Sequence, residues 1–183
     1  MGNKDKEYKI KIHSANLFVP RVTLTPRGIR NYDKYHHELD TICTKTKIIS
    51  EGDQNISWVP FTGPLPRKIY FFMISNEAYN GKNSANPYNF KNYGIDKFVA
   101  MRNNVALPLS IGFVDIQQNM QEIYQLSMSA INEDYEWQLP FSDYDQGYFI
   151  IAVNLGAGHE GNVRLAIDFS SPISETATMF SIG

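Results

Sequence analysis

The residue types that do chemistry are few in this chain, and their spacing is poor. His36-His37-Glu38 is the one clustered set of metal-ligand type. On a helix, neighbouring residues point about 100° apart, so adjacent histidines do not readily share an ion. His13 and His159 stand alone, so solvated histidines are the simpler reading. Cys43 is the only cysteine. It excludes an intrachain disulfide and a cysteine-based zinc site. No histidine or oxyanion signal lies beside it, so a packed or half-buried thiol is expected there. Gly156-Ala157-Gly158-His159-Glu160-Gly161 fits the G-x-G-x-x-G pattern. That motif binds a dinucleotide only between a strand and a helix. Here an alternating, strand-like segment follows, and a hairpin loop is expected. Glu133, Asp134, Glu136, Asp143 and Asp145 make an acidic neighbourhood without calcium-loop spacing. Asn55-Ile56-Ser57 is a glycosylation sequon. Trp58, Trp137 and the tyrosines between Asn76 and Tyr93 suit either stacking on sugars or burial at a subunit interface. No cofactor is implied, and an enzyme is not expected.

The elements that would position these residues are mostly strands. Tyr8–His13 alternates with period two, and Val22 and Leu24 alternate with threonines in a segment from Leu17 to Thr25. Thr25-Pro26 is a helix-start signal for a short helix over 27–38. Strands are expected at 42–49, 56–61, 69–75, 95–101, 105–109, 147–155, 162–169 and 176–182. The run 69–75 is apolar on both faces and reads as a central strand. Arg102-Asn103-Asn104 is a hairpin-type turn. Apolar residues at helical spacing predict a helix over 116–130, with Asp115 as its cap and Gln118 reaching back. The pattern gives an all-β fold: a single jelly-roll β-sandwich with two short inserted helices. Residues 1–7 are expected to be a flexible lead and 8–183 one domain.

With 183 residues, 43% of them hydrophobic, the chain is long enough for one full core. Seventeen Lys and Arg against nineteen Asp and Glu leave a formal charge of −2. That excludes nucleic-acid binding by bulk charge. No apolar run approaches the roughly 20 residues of a membrane span, and the polar N-terminus does not read as a signal peptide.

The most unusual stretch runs from Asn76 to Tyr93. Asparagines stand at 76, 80, 83, 86, 89 and 92, interleaved with Tyr79, Tyr88, Phe90 and Tyr93. Asn80-Gly81 and Asn86-Pro87 are turn dipeptides, because Asn tolerates the left-handed conformation and bonds locally to backbone. A loop this long is usually functional or interfacial. Tyr79, Asn80, Asn86, Pro87, Tyr88, Asn89, Phe90 and Tyr93 are therefore the candidate subunit or partner interface. The competing reading is that the loop folds back over its own sandwich, with Phe90 and Tyr93 plugging the core.

The succession of blocks carries a resemblance. It runs through Asn16-Leu17-Phe18-Val19-Pro20-Arg21-Val22-Thr23-Leu24-Thr25-Pro26, then Leu65-Pro66-Arg67-Lys68-Ile69, Ser75-Asn76-Glu77-Ala78-Tyr79-Asn80-Gly81 and Asn86-Pro87-Tyr88-Asn89-Phe90-Lys91-Asn92-Tyr93. It ends with Gln146-Gly147-Tyr148-Phe149 and Gly161–Phe169. This order resembles the C-terminal half of the hexon-like double jelly-roll major capsid proteins of Polinton/Maverick elements and adintoviruses, with related invertebrate endogenous capsid-like proteins. The resemblance spans about residues 15–180, and the Asn-Gly and Asn-Pro-Tyr-Asn-Phe-Lys block is its most specific part. It departs from the family in having only one sandwich.

The resemblance implies a structural protein of the virion, assembled in host cytoplasm or nucleus and not secreted by a signal peptide. Its implied partners are copies of itself or a second jelly-roll domain in a trimeric capsomer, and minor capsid proteins; the net charge predicts no direct nucleic-acid binding by bulk charge, and no membrane is expected. A truncated or domesticated derivative acting on capsid lattices is the same reading in another setting. The alternative is a jelly-roll binding module that recognises a glycan or protein through loop 76–93.

Overall fold

The computed structural model describes residues 11–18, 42–107, 116–132, 139–156 and 158–183. Contacts divide the chain into Met1–Asp40 and Thr41–Gly183. Of the first unit, Lys11–Phe18 is described and carries no strand or helix, and its side chains are exposed. The strand expected over Tyr8–His13 therefore does not extend through Lys11–His13. Alternation forms a strand only where a neighbouring edge accepts its backbone hydrogen bonds. The strand expected at 17–25 begins irregularly at Leu17-Phe18. Its remainder, the helix at 27–38 and His36-His37-Glu38 lie outside the described residues, as do Asp115, Glu133, Asp134, Glu136 and Trp137.

The second unit is built from β1 (Thr44–Ile49), β2 (Asn55–Pro64), β3 (Lys68–Ser75), α1 (Asn76–Tyr79), β4 (Ile95–Arg102), β5 (Val105–Ala106), α2 (Ile116–Asn132), α3 (Phe141–Tyr144), β6 (Ile151–Asn154), β7 (Glu160–Phe169) and β8 (Ala177–Ile182). The strands form two antiparallel four-stranded sheets, ordered β1-β8-β3-β6 and β2-β7-β4-β5. The pairing is nested. β4 pairs with β5, β3 with β6, β2 with β7 and β1 with β8. One long hairpin has thus been wrapped over so that alternate rungs fall into opposite sheets, which is the jelly roll. Its innermost turn is Asn103-Asn104, with φ of 52° and 65°. Two successive positive φ values give the tight turn whose twist matches the strands it joins, and Asn tolerates them. The Asn103 side chain then accepts from Asn162 N at 2.9 Å and donates to the Glu160 carbonyl at 3.3 Å, locking that turn onto β7.

The core follows the alternation. Val163, Leu165, Ile167 and Phe169 of β7 all point inward and are buried. Phe71 and Phe98 meet between the sheets with ring centroids 5.0 Å apart. β3 is central, as its apolar character requires, and its second face is covered by Phe90 and Phe180, 4.6 and 4.9 Å from Phe72.

Three expectations shift. The strand expected at 147–155 is regular over Ile151–Asn154, with Tyr148 held in a single bridge to Phe90. The glycine-rich segment 156–161 is not a hairpin loop, because β6 and β7 belong to different sheets. The chain crosses from one sheet to the other between Asn154 and Glu160, where Gly156 and Gly158 have positive φ, and Gly161 already lies in β7. The segment's last two residues already begin strand β7, where a dinucleotide site needs a helix. Of the expected partner strand at 105–109, Val105-Ala106 is strand, and 108 and 109 lie outside the described residues.

Two of the four outer strands, β6 and β2, carry features that blunt pairing with other chains. Along β6, Ala152 N–H donates to the buried Ser127 hydroxyl of α2 at 3.3 Å, so the helix covers that edge. The buried Lys68 ammonium donates to the Ala130 carbonyl at 2.7 Å, placing a cation at the C-terminal end of α2 where the helix dipole favours it. β2 carries Pro60 within a register shift, which removes a donor and bends the strand.

Candidate functional site

The loop between β3 and β4 is ordered from its first residue. Ser75 Oγ accepts from Ala78 N and caps α1, and Asn80 N–H closes that turn on the Asn76 carbonyl at 3.0 Å. Asn76 Oδ1 accepts from the buried Thr178 hydroxyl at 2.9 Å, which ties α1 to β8. Tyr79 lies edge-on to Phe180 at 5.7 Å and keeps 48% of its surface exposed. Asn80, Asn86 and Pro87 are exposed.

The tip is an Asx turn. Asn86 Oδ1 accepts from Tyr88 N at 3.0 Å, and the backbone closes from Asn89 N to the Asn86 carbonyl at 3.3 Å. Tyr88 stands out from this turn with 74% of its surface exposed. Asn89 is half-buried against Gly147. A Cβ on Gly147 would come within 2.7 Å of Asn89 Oδ1, so glycine there lets the two segments touch.

From Phe90 onward the chain is clamped. Phe90 N donates to the Gly147 carbonyl at 2.8 Å, and its own carbonyl accepts from Phe149 N at 3.1 Å. Lys91 N bonds the Met73 carbonyl at 3.1 Å, so this segment takes up the flank of β3 that β6 has left. Asn92 donates to Asp145 at 2.6 Å and accepts from Gly94 N at 2.8 Å. Tyr93 has φ of 53°, a strained value for a bulky residue. Three contacts hold it. Its hydroxyl donates to Glu175 Oε1 at 3.0 Å, Lys91 Nζ sits 5.5 Å from its ring centroid, and Lys91 also pairs with Glu175 at 2.7 Å. Burial pushes the Tyr93 phenol well above its usual range, and the Glu175 carboxylate adds to this. Lys91, bonded to Glu175, holds that carboxyl below its usual value against a smaller opposing effect of burial.

The candidate residues thus fall into two groups. Phe90 and Tyr93 lie on their own sandwich and Asn89 packs on the turn at Gly147, while Tyr79, Asn80, Asn86, Pro87 and Tyr88 face outward. Of the other candidates, Asp143 is exposed and Trp58 is partly buried against the core. Among the described residues no three His, Cys, Asp or Glu side chains gather as a metal site. No helix among them is long and apolar enough to cross a membrane.

No family model and no solved structure matches this chain. A stretch of 35 residues is 46% identical to an uncharacterized protein of Caenorhabditis elegans. That match covers 19% of this chain and 8% of the worm protein.

A second feature is one the sequence reading missed. At the far end of the sandwich a cleft of about 410 Å³ opens beside Cys43 and Gly183. Pro60, Phe61, Pro64, Leu65 and Pro66 form its apolar wall, and Lys45 and Thr62 also border it. Cys43 and Gly183 exchange backbone hydrogen bonds of 2.6 and 3.0 Å, continuing the β1·β8 ladder past its last pair. The signal was present in the chain as three prolines in seven residues around a phenylalanine and a leucine. Read along the sequence, that run marks only a strand end and a turn.

Proposed function

We propose that this chain is a structural, capsid-type subunit. It corresponds to one jelly-roll half of a hexon-like major capsid protein, or to a truncated or domesticated derivative that interacts with capsid lattices. The observation that carries the reading is the nested pairing of eight strands into two four-stranded sheets. Viral capsid domains use this architecture, as do lectins and cupins. Since a fold alone does not assign a function, the reading also rests on the Asn and aromatic blocks that resemble the capsid family. An assembling subunit needs rigid, uncharged loops that present apolar groups without desolvating charge. Between Lys82 and Lys91 loop 76–93 carries no charge, and Tyr88 is the ring it presents there. On this reading the partners are further copies, a second jelly-roll domain or minor capsid proteins, the setting is the virion, and the chain has no catalytic role.

Electron microscopy of the concentrated protein tests this. Trimeric rings or extended arrays are expected. Uniform particles of monomer size at every concentration would contradict it. The exposed rings of Tyr79 and Tyr88 also favour a second reading, a binding module that stacks them on a sugar. A glycan screen with Tyr79→Ala and Tyr88→Ala alongside the wild type checks that reading, and the absence of any hit would sink it.

A further inference from the structure

The outer strands of the two sheets are not equally open. Helix α2 covers β6, Pro60 interrupts β2, and β5 is two residues long. β1 runs for six residues without a proline or a register shift. Among the described residues no strand pairs with β1 on the side away from β8. Thr44, Lys45, Thr46 and Ile48 are exposed, Ile48 with 61% of its surface. The ladder fixes which backbone groups are left over. Cys43 and Gly183 exchange both of their backbone hydrogen bonds. In an antiparallel pair such exchanging residues alternate along the strand. Lys45, Lys47 and Ile49 therefore bond β8, while Thr44, Thr46 and Ile48 turn their N–H and C=O groups to the open edge.

We propose that β1 binds an extended acidic peptide as an added antiparallel strand, with carboxylates at alternate positions facing Lys45 and Lys47. The site does not rest on the self-association reading above. Backbone bonds to Thr44, Thr46 and Ile48 supply the attachment, as in other cases of strand addition to a sheet edge. Charge supplies the selection. Lys45 and Lys47 lie two residues apart on one face, and neither has an ion-pair partner among the described residues. Both fall in the non-hydrogen-bonded pairs of the added strand, where facing side chains come closest. Asp or Glu opposite each lysine is therefore favoured. The intervening positions face Thr46 and the exposed Ile48, which suits β-branched residues.

The same lysines argue against the β1 strand of a second copy as the occupant. In the two-fold register that pairs Thr46 with Thr46, each Lys45 faces a Lys47. The neighbouring registers set Lys45 against Lys45, or Lys47 against Lys47. Like charges directly opposite destabilise a strand pair. The edge is thus closed to its own kind and open to a strand of opposite charge.

Fluorescence anisotropy with two labelled, end-capped peptides tests this. One alternates valine with glutamate, and the other has lysine in place of each glutamate. The glutamate peptide is expected to bind about tenfold more tightly, since two facing pairs change from like to opposite charge. The double variant Lys45→Glu, Lys47→Glu should invert that preference, and neither position is buried, so the fold should tolerate the exchange. Thr46→Pro removes an N–H that faces the open edge, where proline is tolerated, and should weaken binding of the glutamate peptide about tenfold. In hydrogen exchange the glutamate peptide should slow the amides of Thr44, Thr46 and Ile48, while those of Lys45 and Lys47, already bonded to β8, stay unchanged. Equal binding of the two peptides, or a preference that the charge exchange does not invert, would overturn the acidic partner. Protection of amides elsewhere in place of these three would overturn the edge as the site. No binding of the glutamate peptide to wild type would overturn the proposal as a whole, whatever the solution mass of the protein.

Discussion

Between Tyr88 and Phe90 the loop passes from solvent to sheet within two residues. At Tyr88 the ring is 74% exposed and only the backbone N–H is engaged, by Asn86. At Phe90 both backbone groups are bonded to the Gly147–Phe149 segment and the ring lies 4.6 Å from Phe72. The two aromatics look alike in the sequence, yet one belongs to the fold and the other does not. Ordering of the second half of the loop is what makes the first half a fixed projection. An exposed ring on a mobile tip would lose much of its binding free energy to ordering.

The comparison can be broken most severely at the core that supports both halves. Phe71→Ala removes a fully buried ring that packs on Phe98, and a loss of about 3–5 kcal/mol in denaturant unfolding is expected. Gly161→Ala attacks the centre of the roll. Its φ of 134° and the Asn103 side chain in the path of a Cβ should cost roughly 1–3 kcal/mol by the same measurement. A wild-type midpoint for either variant would show that the nested pairing is less tightly built than its geometry implies.

Most of the strands were legible before the structure, but of their pairings only the hairpin at Arg102-Asn103-Asn104 was. Val163, Leu165, Ile167 and Phe169 alternate without a break, and the inward face of β7 follows from them. The helix expected over 116–130 is present as Ile116–Asn132. The crossing between Asn154 and Glu160 was not legible, because positive-φ glycines serve a hairpin and an inter-sheet crossing equally well, and only the partners of β6 and β7 separate the two. The cleft was hidden for a similar reason, since Cys43, Pro60 to Pro66 and Gly183 are distant in the chain and converge only once β8 pairs with β1 on one side and β3 on the other. In loop 76–93 the composition identified the region but not the division between Tyr88 and Phe90. That division depends on Gly147, which lets Asn89 approach.

Smaller effects sharpen the contrast within the loop. Phe90→Ala should cost about 1–2 kcal/mol, as expected for a half-buried aromatic. It should also speed amide hydrogen exchange at Lys91 and Phe149, and unchanged exchange at both would deny the clamp. Glu175→Gln weakens the bonds to Lys91 and Tyr93, with an expected loss below about 1 kcal/mol because the pair is partly exposed. The sign with pH follows from the lowered Glu175 value. A carboxyl depressed in the folded state stabilises above its unfolded pKa, about 4.3, and loses that contribution as pH falls through its folded value. The gap between wild type and Glu175→Gln should therefore be full at neutral pH and close in acid below pH 4. A gap that widens in acid would contradict the assignment. The smallest effect on stability is expected at the tip. Tyr88→Ala should unfold within about 0.5 kcal/mol of wild type.

The most direct test of the central claim, that this jelly roll is a self-assembling subunit, is its solution mass by light scattering across roughly a hundredfold range of concentration. The account predicts a mass that rises with concentration from 20.9 kDa to trimer or beyond. A constant 20.9 kDa at every concentration would contradict it.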